Sequence, residues 1–177
     1  EEIYESLLML QHRGQDAAGM VVCEPSGKLN SRKSKGYVRD VFQQNHMSNL
    51  QGNLGIGHVR YPTAGGIGKE FAQPMYVNTP YGISLAHNGN LTNSKKLAAE
   101  LFHAERRHIN TDSDSEVLLN IFALELSKQE AVFPKPKDFF AAVEKTHLRI
   151  NGAYAVVALI TGYGIVAFRD PLGIRPL

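Results

Sequence analysis

Apolar residues follow two clear rhythms along this chain, and each rhythm predicts a kind of element. Over 1–10, Ile3, Leu7 and Leu10 recur on one face of a helix, which should end at Gln11-His12-Arg13-Gly14 with Gly14 as a left-handed stop. Residues 17–23 are an unbroken run of small and apolar side chains, the mark of a buried strand. A turn at Glu24-Pro25-Ser26-Gly27 leads into a more exposed strand over 29–35. Short helical pieces and loop fill 38–50. A strand over 54–61 carries Arg60 to its end, where Pro62 has no N–H to continue a ladder. Loop follows to Pro74, then a hairpin of 75–78 and 82–87 around Thr79-Pro80-Tyr81-Gly82.

The helical rhythm returns in the second half. A helix over 93–103 presents Leu97, Ala98, Leu101 and Phe102 inward. In the next, 114–127, Val117, Leu118, Ile121, Phe122 and Leu124 cover so wide an arc that the helix must be largely buried. Pro134-Lys135-Pro136 separates it from a helix over 137–148 with Phe140, Val143 and His147 aligned. Apolar strands over 153–161 and 165–169 form a hairpin about Gly162-Tyr163-Gly164. Strands toward both ends with helices between them predict a layered fold of helices and antiparallel sheet.

The 177 residues suit one domain with a sizeable core. A formal net charge of +2 gives no field for nucleic acid or an acidic membrane surface. The densest basic run, Lys28, Arg32, Lys33, Lys35 and Arg39, reads as a solvated hairpin. No apolar run is long enough to span a bilayer, and there is no signal peptide. One cysteine, Cys23, excludes an internal disulfide framework, which fits a reducing, cytoplasmic setting, and excludes a cysteine-ligated iron–sulfur cluster in this segment.

Four places carry candidate chemistry. Arg60, beside Thr63 and a Gly-rich loop, could fork two hydrogen bonds onto one carboxylate, or could close a strand at the surface. Asn88 and Gly89 offer a side-chain and a backbone N–H for an oxyanion; on spacing alone a tight Asn-Gly turn is the favoured reading. Ser113 and Glu116 match a capping box, which puts Asp114 at the first helical position, where it serves the dipole and could also grip an ammonium. His12-Arg13-Gly14-Gln15-Asp16 is a polar loop entering a buried strand. Cys23, in an apolar run, reads as a core residue rather than a nucleophile. The seven histidines show no metal spacing, and no phosphate-binding loop or dinucleotide fingerprint is present.

Several motifs together resemble one family. They are Gln11-His12-Arg13-Gly14-Gln15-Asp16-Ala17-Ala18-Gly19, the stretch from His58 to Gly65, His87-Asn88-Gly89-Asn90-Leu91-Thr92-Asn93, Thr111-Asp112-Ser113-Asp114-Ser115-Glu116, and Phe168-Arg169-Asp170-Pro171-Leu172-Gly173-Ile174-Arg175-Pro176-Leu177. The set resembles the class II glutamine amidotransferase domains, and its wording is most similar to that of the amidophosphoribosyltransferases of purine synthesis. Glucosamine-6-phosphate synthase, asparagine synthetase and glutamate synthase share the asparagine-glycine and arginine elements. The resemblance implies an α+β, N-terminal-nucleophile hydrolase-like four-layer αββα sandwich with two antiparallel sheets. It implies glutamine held by Arg60 and Thr63 at its α-carboxylate and by Asp114 at its α-ammonium. Asn88 and Gly89 would form the oxyanion hole, and Arg13 would orient the nucleophile's end of the site. The nucleophile would be an N-terminal cysteine with its own amine as base. Ammonia would pass to a phosphoribosyltransferase domain and displace pyrophosphate from phosphoribosyl pyrophosphate.

The family pattern places that cysteine on a short strand ahead of the first helix, and this chain begins inside the helix. The expectation is a domain, 1–177, cut at both ends, without the first strand, the nucleophile or the phosphoribosyltransferase domain. Such a piece should bind glutamine weakly and not hydrolyse it. No cofactor is expected in this segment, and magnesium belongs with the absent domain. Full-length members of the family are usually homo-oligomers. The competing readings are a glutaminase of the glucosamine-6-phosphate synthase or asparagine synthetase type, and a non-catalytic glutamine-binding domain.

Overall fold

β1 (Ala17–Cys23) is the strand on which the first half is built, and all seven of its residues are buried. In the computed structural model, which describes residues 1–61, 68–129 and 131–177, it is covered on both edges and both faces. β2 (Leu29–Lys35) and β3 (Leu54–Arg60) pair antiparallel on either side of it, in the order β2-β1-β3. Ala18, Met20 and Val22 project to one face and meet Leu7 of α1 (Glu2–Met9), Val38 and Val41 of α2 (Val38–Val41), and Phe42. Met47 of α3 (Gln44–Met47) packs at the margin of that cluster. The intervening residues of β1 face the other way, as the period of two requires.

There they meet a second antiparallel sheet of β4 (Met75–Val77), β5 (Ile83–Leu91), β6 (Gly152–Ile160) and β7 (Gly164–Arg169), in that order. Cys23, Ile56, Ala86 and Leu159 fill the space between the sheets, with Leu29 and Val157 at its border. The outer face of the second sheet presents Ile83, Leu85, Tyr154, Val156 and Ala158 to α4 (Ser94–His103), α5 (Asp114–Ser127) and α6 (Pro136–Arg149). The order helix, sheet, sheet, helix is the α+β four-layer sandwich with two antiparallel sheets that the resemblance implies. α5 is buried on every side from Val117 to Leu126. Arg149 of α6 clips the layer by pairing with Glu125 of α5 at 2.6 Å and with Glu100 of α4. Each fully buried Leu, Ile or Phe of this layer contributes roughly 1.5–3 kcal/mol. A partly exposed ion pair gives about 0–1, so apolar packing holds the layer and the arginine fixes its register.

The boundaries of β1, β2 and α5 match the apolar pattern, but four local expectations fail. Gly14 is not a left-handed stop: its φ is −167°, ordinary extended backbone. It is a close-approach glycine, since a Cβ there would lie 2.6 Å from the backbone of Val59 and Arg60. Phe102 faces solvent, and α4 buries only Leu97 and Leu101. In α6 the buried stripe is Phe139, Ala142, Val143 and Thr146; Phe140 faces solvent, whereas Val143 and half-buried His147, which packs on Tyr154 and Phe168, point inward as expected. With Phe139 and Phe140 adjacent, periodicity cannot say which ring is inside. Finally, β5 does not end at His87: it runs to Leu91, so Asn88-Gly89 lies within a strand and forms no turn.

Candidate functional site

A cleft of about 1200 Å³ opens where the two sheets part, and Arg13, Arg60, Asn88, Gly89 and Asp114 all line it. Arg13 and Asp114, 101 positions apart in the chain (114 − 13), are thus on one surface. Thr63, the remaining candidate, lies outside the described residues. Arg13 stands exposed on a single turn of 3-10 helix, Gln11–Arg13, at the cleft wall.

The register of β5 aims its backbone. Pairing with β6 runs unbroken from Ile83↔Ile160 to Leu91↔Gly152. At its two ends the even-numbered residues bond toward β6: Thr161 N–H donates to Gly82 O, and Thr92 N–H to Asn151 O. The odd-numbered residues therefore point to the opposite edge. β4 covers that edge only as far as Leu85. Beyond it, His87 N–H donates to Gln73 Oε1 at 2.7 Å, and Leu91 N–H donates to Asp114 Oδ2 at 2.9 Å. The N–H of Gly89, midway between them, projects to the same edge. Glycine is required here: φ is +150°, and a Cβ would sit 2.0 Å from Ala153 O.

Arg60 reaches the cleft from the end of β3, and it is buried. Its Nη1 pairs with Asp16 Oδ2, and its guanidinium carbon lies 5.4 Å from the centre of the Phe71 ring. Asp16 N–H also donates to Arg60 O at 3.0 Å. Carboxylate and ring together fix the plane of the guanidinium, a condition for forked recognition. The reading of Arg60 as a surface residue closing a strand is ruled out. His58, two residues back on the same face, is half-buried in the cleft wall; desolvation, with His87 and Arg60 close by, lowers its pKa to about 4. It is neutral at physiological pH.

Asp114 opens α5 behind Ser113, whose Oγ accepts from Ser115 N–H at 3.3 Å. The N-cap stands as expected, but the reciprocal half of the box does not form. Glu116 turns instead to the loop before the helix, accepting from Asn110 N–H, Thr111 N–H and Thr111 Oγ1 at 2.6–2.9 Å. Ser115 Oγ also lies 3.0 Å from His87 Nδ1 and accepts from Gln73 Nε2 at 3.1 Å. Gln73 Nε2 donates to His87 O as well, at 3.2 Å, so one amide covers both ladder groups of His87. Burial depresses the His87 imidazole; Asp114 Oδ1, 3.8 Å away, works against that and Arg175 with it. Gln73 is held in turn through its neighbour: Lys33 Nζ donates to Pro74 O at 3.0 Å. Lys33 is therefore no part of a solvated basic hairpin, and burial lowers its pKa.

The far wall is set by Asp170, whose carboxylate accepts N–H bonds from Tyr154, Ile174 and Arg175. These bonds place Arg175 and Pro176 at the cleft. Cys23 is buried between the sheets and does not line the cleft. Among the described residues no group of three His, Cys, Asp or Glu gathers that could hold a metal ion, and no helix is long and apolar enough to cross a membrane.

Sequence reasoning gave no role to Asp16, Gln73, His58, His87 or Ser115. Asp16 is 44 positions from Arg60, and no local pattern links them. A buried serine at a helix start carries no sequence signal at all. The one available hint was His87, a polar residue at the end of an apolar strand.

Residues 67–177 match the model of the glutamine amidotransferase domain family. Over its whole length the chain is 60% identical to amidophosphoribosyltransferase of Pseudomonas aeruginosa and 58% identical to that of Pasteurella multocida, covering 35% of each. It superposes on a solved structure described as the allosteric regulatory enzyme of purine biosynthesis with a TM-score of 0.81 and 34% identity, over 98% of this chain and 35% of that one. The chain thus spans about a third of the length of the relatives it matches. With the fold, the cleft and this match in agreement, the chain belongs to the glutamine amidotransferase domain family.

Proposed function

We propose that the cleft holds glutamine by both charged ends. We also propose that the chain is the glutaminase portion of an amidophosphoribosyltransferase, supplying ammonia that converts phosphoribosyl pyrophosphate to 5-phosphoribosylamine, the first committed step of purine synthesis. The observation that carries the reading is the edge of β5 beyond Leu85, which no strand pairs among the described residues. Gly89 N–H and the Asp114 carboxylate, bonded at Leu91, lie two residues apart on it, about 6.6 Å at strand rise. The amide oxygen and α-nitrogen of extended glutamine are separated by five bonds, about 6 Å. The edge therefore matches the substrate in length and in the order of its groups.

In this reading Asp114 takes the α-ammonium, Arg60, its plane set by Asp16, takes the α-carboxylate, and Arg13 borders the nucleophile's end. A thiolate adds to the amide carbon. The electron pair passes to oxygen, where the Asn88 side-chain N–H and Gly89 N–H receive it. Return of that pair expels ammonia, the proton coming from the attacking residue's amine, and water releases glutamate from the thioester. Cys23 is too enclosed to attack, so the thiol comes from outside these 177 residues. Phosphoribosyl pyrophosphate and its magnesium belong to a further domain of the same polypeptide, which assembles as a homo-oligomer in the cytoplasm.

The test supplies full-length protein with glutamine and phosphoribosyl pyrophosphate and measures glutamate and pyrophosphate together. Equimolar release is expected. Glutamate without pyrophosphate would assign the domain to an amidotransferase with another acceptor, and neither product would leave a glutamine-binding domain.

A further inference from the structure

A polar cluster in the wall of the cleft has no place in the chemistry above, although its geometry touches both ends of the site. Gln73, His87 and Ser115 are all buried, at 7%, 4% and 2% exposure. They come from a loop, the middle of β5 and the start of α5, and one side-chain amide joins all three. Each braced residue adjoins a candidate site residue: His87 precedes Asn88, and Ser115 follows Asp114. The first sheet makes room for the backbone of this loop: Gly19 of β1 faces Gln73, and a Cβ there would stand 1.9 Å from the Gln73 main-chain carbonyl oxygen.

We infer that Gln73, His87 and Ser115 are positioning residues that fix the Asp114 carboxylate relative to the Asn88–Gly89 donors, so that the cleft selects an amide bearing an α-ammonium. The inference rests on the reading of the cleft as a glutamine site. β5 and α5 belong to different layers, and packing alone lets a helix slide against a sheet. The Ser115 hydroxyl ties the two layers: it accepts from Gln73 Nε2 at 3.1 Å and lies 3.0 Å from His87 Nδ1. Asp114 is then held from two directions, by Leu91 N–H through its carboxylate and by its neighbour through the brace. The bonds satisfy the Gln73 amide, the Ser115 hydroxyl and His87 Nδ1, and leave His87 Nε2 without a partner among the described residues; directional bonds of this kind specify an arrangement that a merely apolar contact does not.

The experiment compares L-glutamine with 5-amino-5-oxopentanoate, glutamine lacking its α-amino group, as substrates of the full-length enzyme carrying Ser115→Ala. Alanine is a good helix former, and a thermal melt of the variant confirms that the fold is kept. The variant should lose about tenfold in kcat/KM for glutamine, the value of one or two hydrogen bonds. It should keep kcat/KM for the deamino substrate within about twofold, and Ser115→Thr, which restores a hydroxyl, should recover the discrimination. Equal losses on both substrates would make Ser115 a structural residue and overturn the inference, as would no loss on either. Asp114→Asn run alongside separates the two layers of argument. If it abolishes discrimination and Ser115→Ala does not, the brace fails and the glutamine site stands. If Asp114→Asn leaves discrimination intact, the site reading fails and the inference falls with it.

Discussion

Replacing Gly89 with alanine perturbs the backbone and the proposed chemistry at one point. The φ of +150° is open to glycine and costs another residue roughly 1–3 kcal/mol. The added Cβ would meet Ala153 O at 2.0 Å and Tyr154 Cα at 2.7 Å, both backbone atoms of β6, the central partner of β5. No side chain can rotate away, so the strands must part locally, roughly another 1–3 kcal/mol. A middle value of about 4 kcal/mol corresponds to a melting-temperature fall of roughly 8–16 °C for a domain of this size. The same movement displaces the N–H that lies between the Gln73 and Asp114 anchors, and loss of one oxyanion donor costs about 10²–10³ in kcat. Scanning calorimetry and a glutaminase assay on the full-length protein read both effects. A variant melting within about 2 °C of wild type with unchanged turnover would refute the close-packed, strand-interior account of this glycine.

Other perturbations follow from the same geometry. Asp16→Ala removes the carboxylate from a buried ion pair with Arg60, so denaturant titration should show a loss of roughly 3–5 kcal/mol, and KM for glutamine should rise. Cys23→Ala should lower stability by about 1 kcal/mol and leave glutamine hydrolysis unchanged; lost hydrolysis in a stably folded variant would make Cys23 the nucleophile. His58 takes up its proton near pH 4 when folded and near 6.5 when unfolded. Between those values the unfolded chain binds more protons, so stability is full above pH 6.5 and declines as pH falls toward 4, by roughly 3 kcal/mol. His58→Gln should flatten that part of a stability–pH curve, and an unaltered slope would show that His58 is not the group responsible.

Where burial dictates a simple pattern, this sequence is legible. β1 has both faces covered and reads as an unbroken apolar run; α5 has apolar residues all round because it lies between two helices and a sheet. Where one face is open, adjacent large residues compete and the pattern misleads, as Phe140 does beside Phe139. The candidate ligand-facing residues were legible through motif resemblance, since Arg60, Asn88 and Asp114 each sit beside a strong local signal: a proline stop, a glycine, a helix cap. Their supports were not. Asp16 holds Arg60, and Gln73 holds His87, across 44 and 14 positions, through contacts that exist only once the sheets stack. Asn88-Gly89 misled for a related reason. As a dipeptide it is a turn, and only the register with β6 carries it on as strand.

The central claim is that Asn88 and Gly89 stabilise charge on a glutamine amide in this cleft. Asn88→Asp keeps the shape of the side chain and replaces its donor with a second oxygen, so the full-length variant should be assayed with glutamine and, separately, with ammonium chloride as nitrogen source. The account predicts a fall of about 10²–10³ in glutamine-dependent kcat with ammonia-dependent synthesis retained. Undiminished turnover of glutamine, or a parallel fall in both reactions, would contradict it.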